Sequence, residues 1–272
     1  MHFEWQYISS KSNPMLVRLA KLKDKKYRRA EGLFRLDGIK LFCEAASVGA
    51  PIECVLIADS AREKYCKEVE AYSLDAKCYI VADEAFAKLT DELSPEGIVT
   101  ICRELENISK ADDYSALAEN SLGGTVLLLA SVRDVGNMGT IIRSARAFGI
   151  DTLIISSDCA DLYNSKTVRG AMGALFTQKI AVVENMVDTI GTLRKVGFCV
   201  YAAALQRGAK RLGSFELTRS DAIVIGNEGH GLSDNEIAAC NECLYIPMEE
   251  GSESLNAAIA ASVCMWELYR TK

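Results

Sequence analysis

Apolar and polar positions along the chain follow two rhythms. Short continuous apolar runs between glycine or polar turns predict strands buried on both faces. Runs with apolar residues three and four apart predict helices packed on them. In the first half the order is strand "GLFRLDG", helix "IKLFCEAASVG", strand "IECVLIA", helix "AREKYCKEVEAY", strand "KCYIVA", helix "DEAFAKLTDEL" and strand "GIVTICR". A polar stretch ending in Gly-Gly, "ELENISKADDYSALAENSLGG", then reads as a link. The pattern restarts with the strands "TVLLLA", "TLIIS", "QKIAVV", "FCVYAAA", "AIVIG" and "CLYIP", with helical patterns between most of them. Such alternation predicts an α/β fold with a parallel sheet covered on both faces. The expected division is a domain at 1–105, a linker at 106–122 and a second domain at 123–272.

Composition narrows the class. The 272 residues are 49% hydrophobic and 25% charged, as in ordinary globular proteins. No apolar run approaches the roughly 20 residues of a membrane span, and the first residues lack a basic-then-apolar leader, so a cytoplasmic protein without a membrane anchor is expected. Ten cysteines are scattered through apolar segments, the usage of small buried side chains in a reducing compartment. Cys240 and Cys243 have metal-ligand or redox spacing, but no second pair accompanies them and the histidines are His2 and His230 alone. No metal site is expected from so few ligands.

The net charge of −6 argues against wholesale polyanion binding. Its distribution does not. Between residues 11 and 35 nine cations face only Asp24 and Glu31, a local +7 that leaves −13 for the remainder. A solvated helix face explains this, and so does phosphate contact through Lys25, Lys26, Arg28, Arg29 and Arg35.

Candidate chemistry sits at strand ends, where parallel sheets bind ligands. "TVLLLA" runs into "SVRDVGNMGTIIR", which sets Arg143 beside an apolar helix face, six residues after Asn137. "AIVIG" runs into the glycine loop "GNEGHGLSD", with Glu228 inside it. "CLYIP" runs into "PMEEGSESLNAAIAAS", in which Ser252 or Ser254 is expected to cap a small-residue helix whose first turn contains Asn256. The glycine loop alone is a weak signal, since it departs from the dinucleotide fingerprint. A nucleotide-dependent enzyme of another class and a non-catalytic RNA-binding protein are the rival readings.

The three stretches "NMGTIIRSARAFG", "GNEGHGLS" and "IPMEEGSESLNAAIAAS" resemble, in order and spacing, the motifs of the SpoU (TrmH-like) RNA 2′-O-ribose methyltransferases of the SPOUT superfamily. The first half resembles that family's substrate-binding domain, a small α/β domain similar to ribosomal RNA-binding proteins. The resemblance implies a C-terminal trefoil knot, a homodimer through the C-terminal domain, and S-adenosylmethionine as methyl donor. It implies cofactor loops at Leu205, at Gly226, Asn227, Glu228 and Gly229, at Ile246, Pro247 and Met248, and at Ser254, Leu255 and Asn256. Asn137, Arg143, Glu228, Ser254 and Asn256 are implied as the catalytic set, and Arg169 as an RNA contact. One departure is visible: the family's "R-x-S-x-G" is "RGAMG" here, with Ala171 in place of the serine. The implied reaction is methylation of a ribose 2′-hydroxyl, of 23S ribosomal RNA by preference and of transfer RNA as the alternative.

Overall fold

Strands form where the apolar runs are continuous, and the chain sorts them into two units. The computed structural model describes residues 5–72, 75–90, 94–249, 251 and 254–270. One unit comprises Met1–Leu105 with Tyr163–Phe176, the other Glu106–Leu162 with Thr177–Lys272.

The first unit runs β1 (Trp5–Ile8), α1 (Pro14–Ala20), α2 (Lys25–Glu31), β2 (Leu33–Asp37), α3 (Ile39–Ser47), β3 (Ile52–Ala58), α4 (Arg62–Glu70), β4 (Lys77–Val81), α5 (Asp83–Phe86) and β5 (Ile98–Arg103). Its five-stranded sheet has the order β1-β4-β3-β5-β2. The β1–β4 and β4–β3 pairs are parallel, and β5 pairs antiparallel with both β3 and β2. Helix α5 is shorter than its apolar pattern predicts, with Ala87, Lys88 and Leu89 in a turn. The Leu89 carbonyl there accepts a hydrogen bond from the Arg35 guanidinium instead of continuing a helical ladder. Residues 91–93 of the predicted helix lie outside the described residues.

The second unit runs β6 (Ile108–Lys110), α6 (Tyr114–Glu119), β7 (Val126–Leu129), α7 (Val135–Ala147) and β8 (Thr152–Ser156). After α8 (Ser165–Ala171), which lies in the first unit, it continues with β9 (Ile180–Val183), α9 (Met186–Lys195), β10 (Cys199–Ala203), β11 (Lys210–Arg211), β12 (Asp221–Ile225), α10 (Asp234–Ala239), β13 (Glu242–Tyr245) and α11 (Ala257–Arg270). Its eight strands, ordered β11-β13-β10-β12-β7-β8-β9-β6, are all parallel. Period-two alternation divides the apolar side chains between two faces. Val126, Leu128, Ile154, Val200, Ala222 and Val224 pack with Leu117 of α6 and Ile190 and Leu193 of α9. Leu127, Leu129, Leu153, Ile155, Ile223 and Ile225, of opposite parity, are also buried, and α11 packs on α7 and β12. Each such fully buried side chain contributes about 1.5–3 kcal/mol.

Residues 106–122 are therefore more than a link. Strand β6 pairs with β9 at the sheet edge, and Leu117 and Ala118 join the core. Helix α7 is capped by Asp134, whose carboxylate accepts from Asn137 N at 2.7 Å. That cap fixes where α7 begins and sets Asn137 in its first turn.

Candidate active site

The C-terminal ends of β10, β12 and β13 open onto a cleft of about 270 Å³, close to the lower bound of small-molecule sites, ~300 Å³. Residues from the loops after all three strands line it, among them Leu205, Glu228, Ile246, Met248 and Leu255. Leu205 is 78% exposed and Met248 39%. Apolar side chains left open to solvent inside a concavity are surface a ligand can cover.

Of the residues expected in cofactor loops, the cleft gathers Leu205, Gly226, Asn227, Glu228, Gly229, Ile246, Met248, Ser254 and Leu255. Pro247 and Asn256 are not among its lining residues. Gly226 has a reason beyond a ligand's approach. A Cβ there would lie 2.4 Å from the Gly231 carbonyl carbon and 2.5 Å from Leu232 N. Asn227 and Gly231 close the loop by reciprocal backbone bonds of 3.0 and 2.9 Å, and only glycine lets its arms pass so closely.

A directional chain of side chains begins in this loop. Glu228 Oε1 accepts from Asn137 Nδ2 at 3.0 Å and from Asp134 N at 3.2 Å, and Oε2 accepts from Arg133 N at 3.2 Å. Asn137 Oδ1 accepts from Asn256 Nδ2 at 2.9 Å. Asn256 Oδ1 accepts from Ala258 N at 2.9 Å and Ile259 N at 3.3 Å. A carboxylate only accepts, so the Asn137 amide must point its NH2 at Glu228, which leaves its oxygen for Asn256. The polarity thus runs unbroken from the start of α11 to Glu228. Burial pushes the Glu228 carboxyl up, but hydrogen bonds from Asn137, its own amide and the Arg133 and Asp134 amides outweigh it, so its pKa lies below the ordinary value.

Two sequence expectations change here. Asn256, expected inside the first turn, is itself the N-cap of α11, a position that asparagine favours. Ser254 lines the cleft, while Ser252 lies outside the described residues. Arg143 does not join Asn137 and Glu228. Six residues along a helix turn about 240°, and the exposed Arg143 side chain has no hydrogen bond or ion pair to any described residue.

The basic segment divides as well. Lys25, Lys26 and Arg29 are exposed. Arg28 is 5% exposed and donates to Leu22 O at 2.7 Å and Lys23 O at 2.6 Å. Arg35 is 7% exposed and pairs with Asp37 at 3.1 Å. Those two guanidinia are structural, which corrects their assignment as phosphate contacts. Arg169, on α8, is exposed. Ala171 is fully buried, so a serine hydroxyl there would have needed a buried partner. Among the described residues no group of three or more His, Cys, Asp or Glu is placed to hold a metal ion. The signals missed in the sequence were Asp134 as cap and the hydrogen-bonding serines at the ends of β7 and β8. An Asp three residues before Asn137 was the available clue to the first.

Known proteins match this arrangement. Residues 124–266 match the model of the SpoU rRNA Methylase family, and residues 13–100 that of the MRM3-like substrate binding domain. This chain belongs to the SpoU rRNA methylase family. A curated relative from Bacillus subtilis (strain 168), 23S rRNA (guanosine(2553)-2′-O)-methyltransferase RlmP, is 31% identical over 96% of this chain and 98% of its own. An AdoMet-bound rRNA methyltransferase from Sinorhizobium meliloti superposes with a TM-score of 0.82 at 27% identity, over 97% of each chain. A TrmH-family RNA methyltransferase from Porphyromonas gingivalis gives 0.81 at 28% identity, over 96% of this chain and 99% of that one.

Proposed function

We propose that this protein uses S-adenosylmethionine to methylate a ribose 2′-hydroxyl in ribosomal RNA, in the cytoplasm. The observation that carries the reading is the chain Asn256–Asn137–Glu228, whose last member also lines the strand-end cleft. The cleft fits the cofactor: Leu205, Ile246, Met248 and Leu255 offer apolar surface to a purine, and Glu228 and Ser254 give one side polar character. S-adenosylmethionine supplies, when bound, a methyl group on a sulfonium, which leaves as a neutral thioether.

The remaining work falls to the protein. Arg143 lies on α7, whose first turn holds Asn137, and its exposed guanidinium is uncommitted to any described residue. A cation of that kind stabilises the alkoxide developing on the ribose oxygen and lowers that hydroxyl's pKa. The hydroxyl proton passes to solvent rather than to Arg143, since arginine stays protonated. Asn137 and Glu228 fix the start of α7 and so the helix that carries Arg143; Asn256 ties α11 to the same point, and Ser254 faces the cleft. Lys25, Lys26, Arg29 and Arg169 supply phosphate contacts from the first unit.

The reading extends to a homodimer and a trefoil knot. Trp266 and Tyr269 of α11 are 50% and 47% exposed and cluster with Phe148 at ring separations of 6.1 Å each. That apolar patch suits a second copy of the C-terminal unit. After β13, beyond β10 from β12, the chain returns as α11 to pack on β12 and α7, a crossing compatible with a knot. No helix among the described residues is long and apolar enough to cross a membrane.

The deciding assay supplies labelled S-adenosylmethionine with ribosomal RNA and, separately, transfer RNA. Alkali-resistant 2′-O-methyl nucleotides in ribosomal RNA are expected. Label in transfer RNA alone would move the substrate, and no label in either would end the reading. Light scattering at micromolar concentration is expected to return a dimer.

A further inference from the structure

The turn between β7 and α7 is held from both neighbouring strands, through Asn227 and Glu228 after β12 and through Asp158 after β8. Ser131, in that turn, has φ of 57°, a left-handed conformation that costs any residue with a Cβ. What holds it there is Asp158, from the loop after β8. Asp158 Oδ2 accepts from Ser131 Oγ at 2.6 Å and from Arg133 Nη2 at 3.1 Å, while Oδ1 accepts from Ser156 Oγ at 2.6 Å. Ser156 Oγ in turn accepts from Ser131 N at 2.8 Å. The next backbone groups are spent in both directions. Ser131 O accepts from Asn227 Nδ2 at 2.7 Å, Val132 O accepts from Ala160 N at 2.8 Å, and the Arg133 and Asp134 amides go to Glu228.

We propose that Asp158 is a positioning residue for methyl transfer, holding Ser131 left-handed so that the Arg133 and Asp134 amides grip Glu228 and, through it, Asn137. The inference rests on the methyltransferase reading given above. The geometry sets Asp158 apart from a core support. Its side chain is 45% exposed, so water replaces its partners when it is removed, and the β-ladders on either side do not use it. Burial pushes its carboxyl up, but the hydrogen bonds from Ser131, Ser156 and Arg133 and the charge of Arg133 bring it below its ordinary value, the sign of a carboxylate held as an acceptor.

The test joins a structural readout to a kinetic one on the full-length protein. In cofactor-free Asp158→Ala, hydrogen exchange at the Arg133 and Asp134 amides should speed up at least tenfold while Leu127 and Leu128 within β7 stay protected. With S-adenosylmethionine and RNA saturating, single-turnover methyl transfer should slow at least tenfold, with cofactor Kd within twofold of the unsubstituted protein. Asp158→Asn, which keeps the shape and one acceptor, should fall between. Ser131→Gly added to Asp158→Ala should restore both exchange protection and rate, because glycine occupies the left-handed region unaided. Unchanged exchange in Asp158→Ala overturns the inference. So does a lost rate that Ser131→Gly leaves unrecovered, since that would assign Asp158 to the chemistry itself. An unsubstituted protein that transfers no methyl group would sink the functional reading instead, and the exchange data would still decide whether Asp158 holds the turn.

Discussion

Replacing Arg143 with alanine separates catalysis from architecture because the two effects differ widely in size. The Arg143 side chain is exposed and has no hydrogen bond or ion pair to any described residue. Its removal should change stability by no more than about 0.5 kcal/mol, as for other uncommitted surface positions, a melting shift of about 1–2 °C for a protein of this size. Alanine is also the better helix former, which offsets part of any loss. If the guanidinium stabilises a developing alkoxide, the chemical step should slow by about a hundredfold to a thousandfold, or about 2.7–4 kcal/mol. The assay is single-turnover methyl transfer by folded protein saturated with S-adenosylmethionine, alongside calorimetric affinity for the cofactor. Affinity should stay within about threefold, a shift smaller than 1 kcal/mol. Arg143→Lys should recover little, since an ammonium lacks the planar fork. A wild-type transfer rate under these conditions would remove Arg143 from the mechanism. A loss of activity that only tracked a falling melting temperature would make Arg143 a structural contact.

Three further outcomes follow from the geometry. Glu228 has a folded-state pKa below its unfolded value, so its stabilising contribution is fully present above the unfolded value and is lost as pH falls through the lower folded one. Its side-chain carbon, followed by NMR, should titrate below the ordinary glutamate value, and a midpoint above it would contradict the hydrogen-bonded carboxylate. Gly226→Val should collapse the loop and lower the melting temperature, whereas a Cβ at Gly229 meets only Asn227 Oδ1 at 3.5 Å; Gly229→Val should keep the fold and weaken cofactor binding at least tenfold by calorimetry. Replacing Lys25, Lys26 and Arg29 together with alanine should reduce the salt dependence of RNA binding by about 2 to 3 counterions, while Arg28→Ala should leave that slope alone and cost about 2–3 kcal/mol in denaturant unfolding through its two carbonyl partners.

The strands of the parallel sheet were legible because burial on both faces forces uninterrupted apolar runs, as in "TVLLLA" and "AIVIG". Strands β1, β6 and β11 were not, for the opposite reason. Trp5–Ile8, Ile108–Lys110 and Lys210–Arg211 are short, partly polar edge segments whose pairing partners lie far along the chain. The family motifs pointed to residues that the structure places along the cleft, such as Gly226, Glu228 and Ser254, but gave no sign of the hydrogen bonds around them. Nothing in "SESLNAAIAAS" separates a serine cap from an asparagine cap until the backbone direction at Asn256 is known. Burial of a charge was equally hidden. Arg28 and Arg29 are adjacent in the sequence, yet helical rotation turns one to the Leu22 carbonyl and the other to solvent.

The grouping of Tyr163–Phe176 with the first unit bears on how this protein can be taken apart. A unit assembled from two separated stretches of chain cannot be excised with a single cut. Removing residues 1–120 would strip the neighbours from Thr167, Leu175 and Phe176, all now buried, and would delete β6 together with Leu117 and Ala118 of the second core. The remnant would carry a sticky crossover between β8 and β9 and a sheet short of one edge. Recombination obeys the same rule. Grafting the first unit onto another protein requires moving a fourteen-residue insert as well as the N-terminal stretch, so the two halves should be inherited as a matched set more readily than as interchangeable parts.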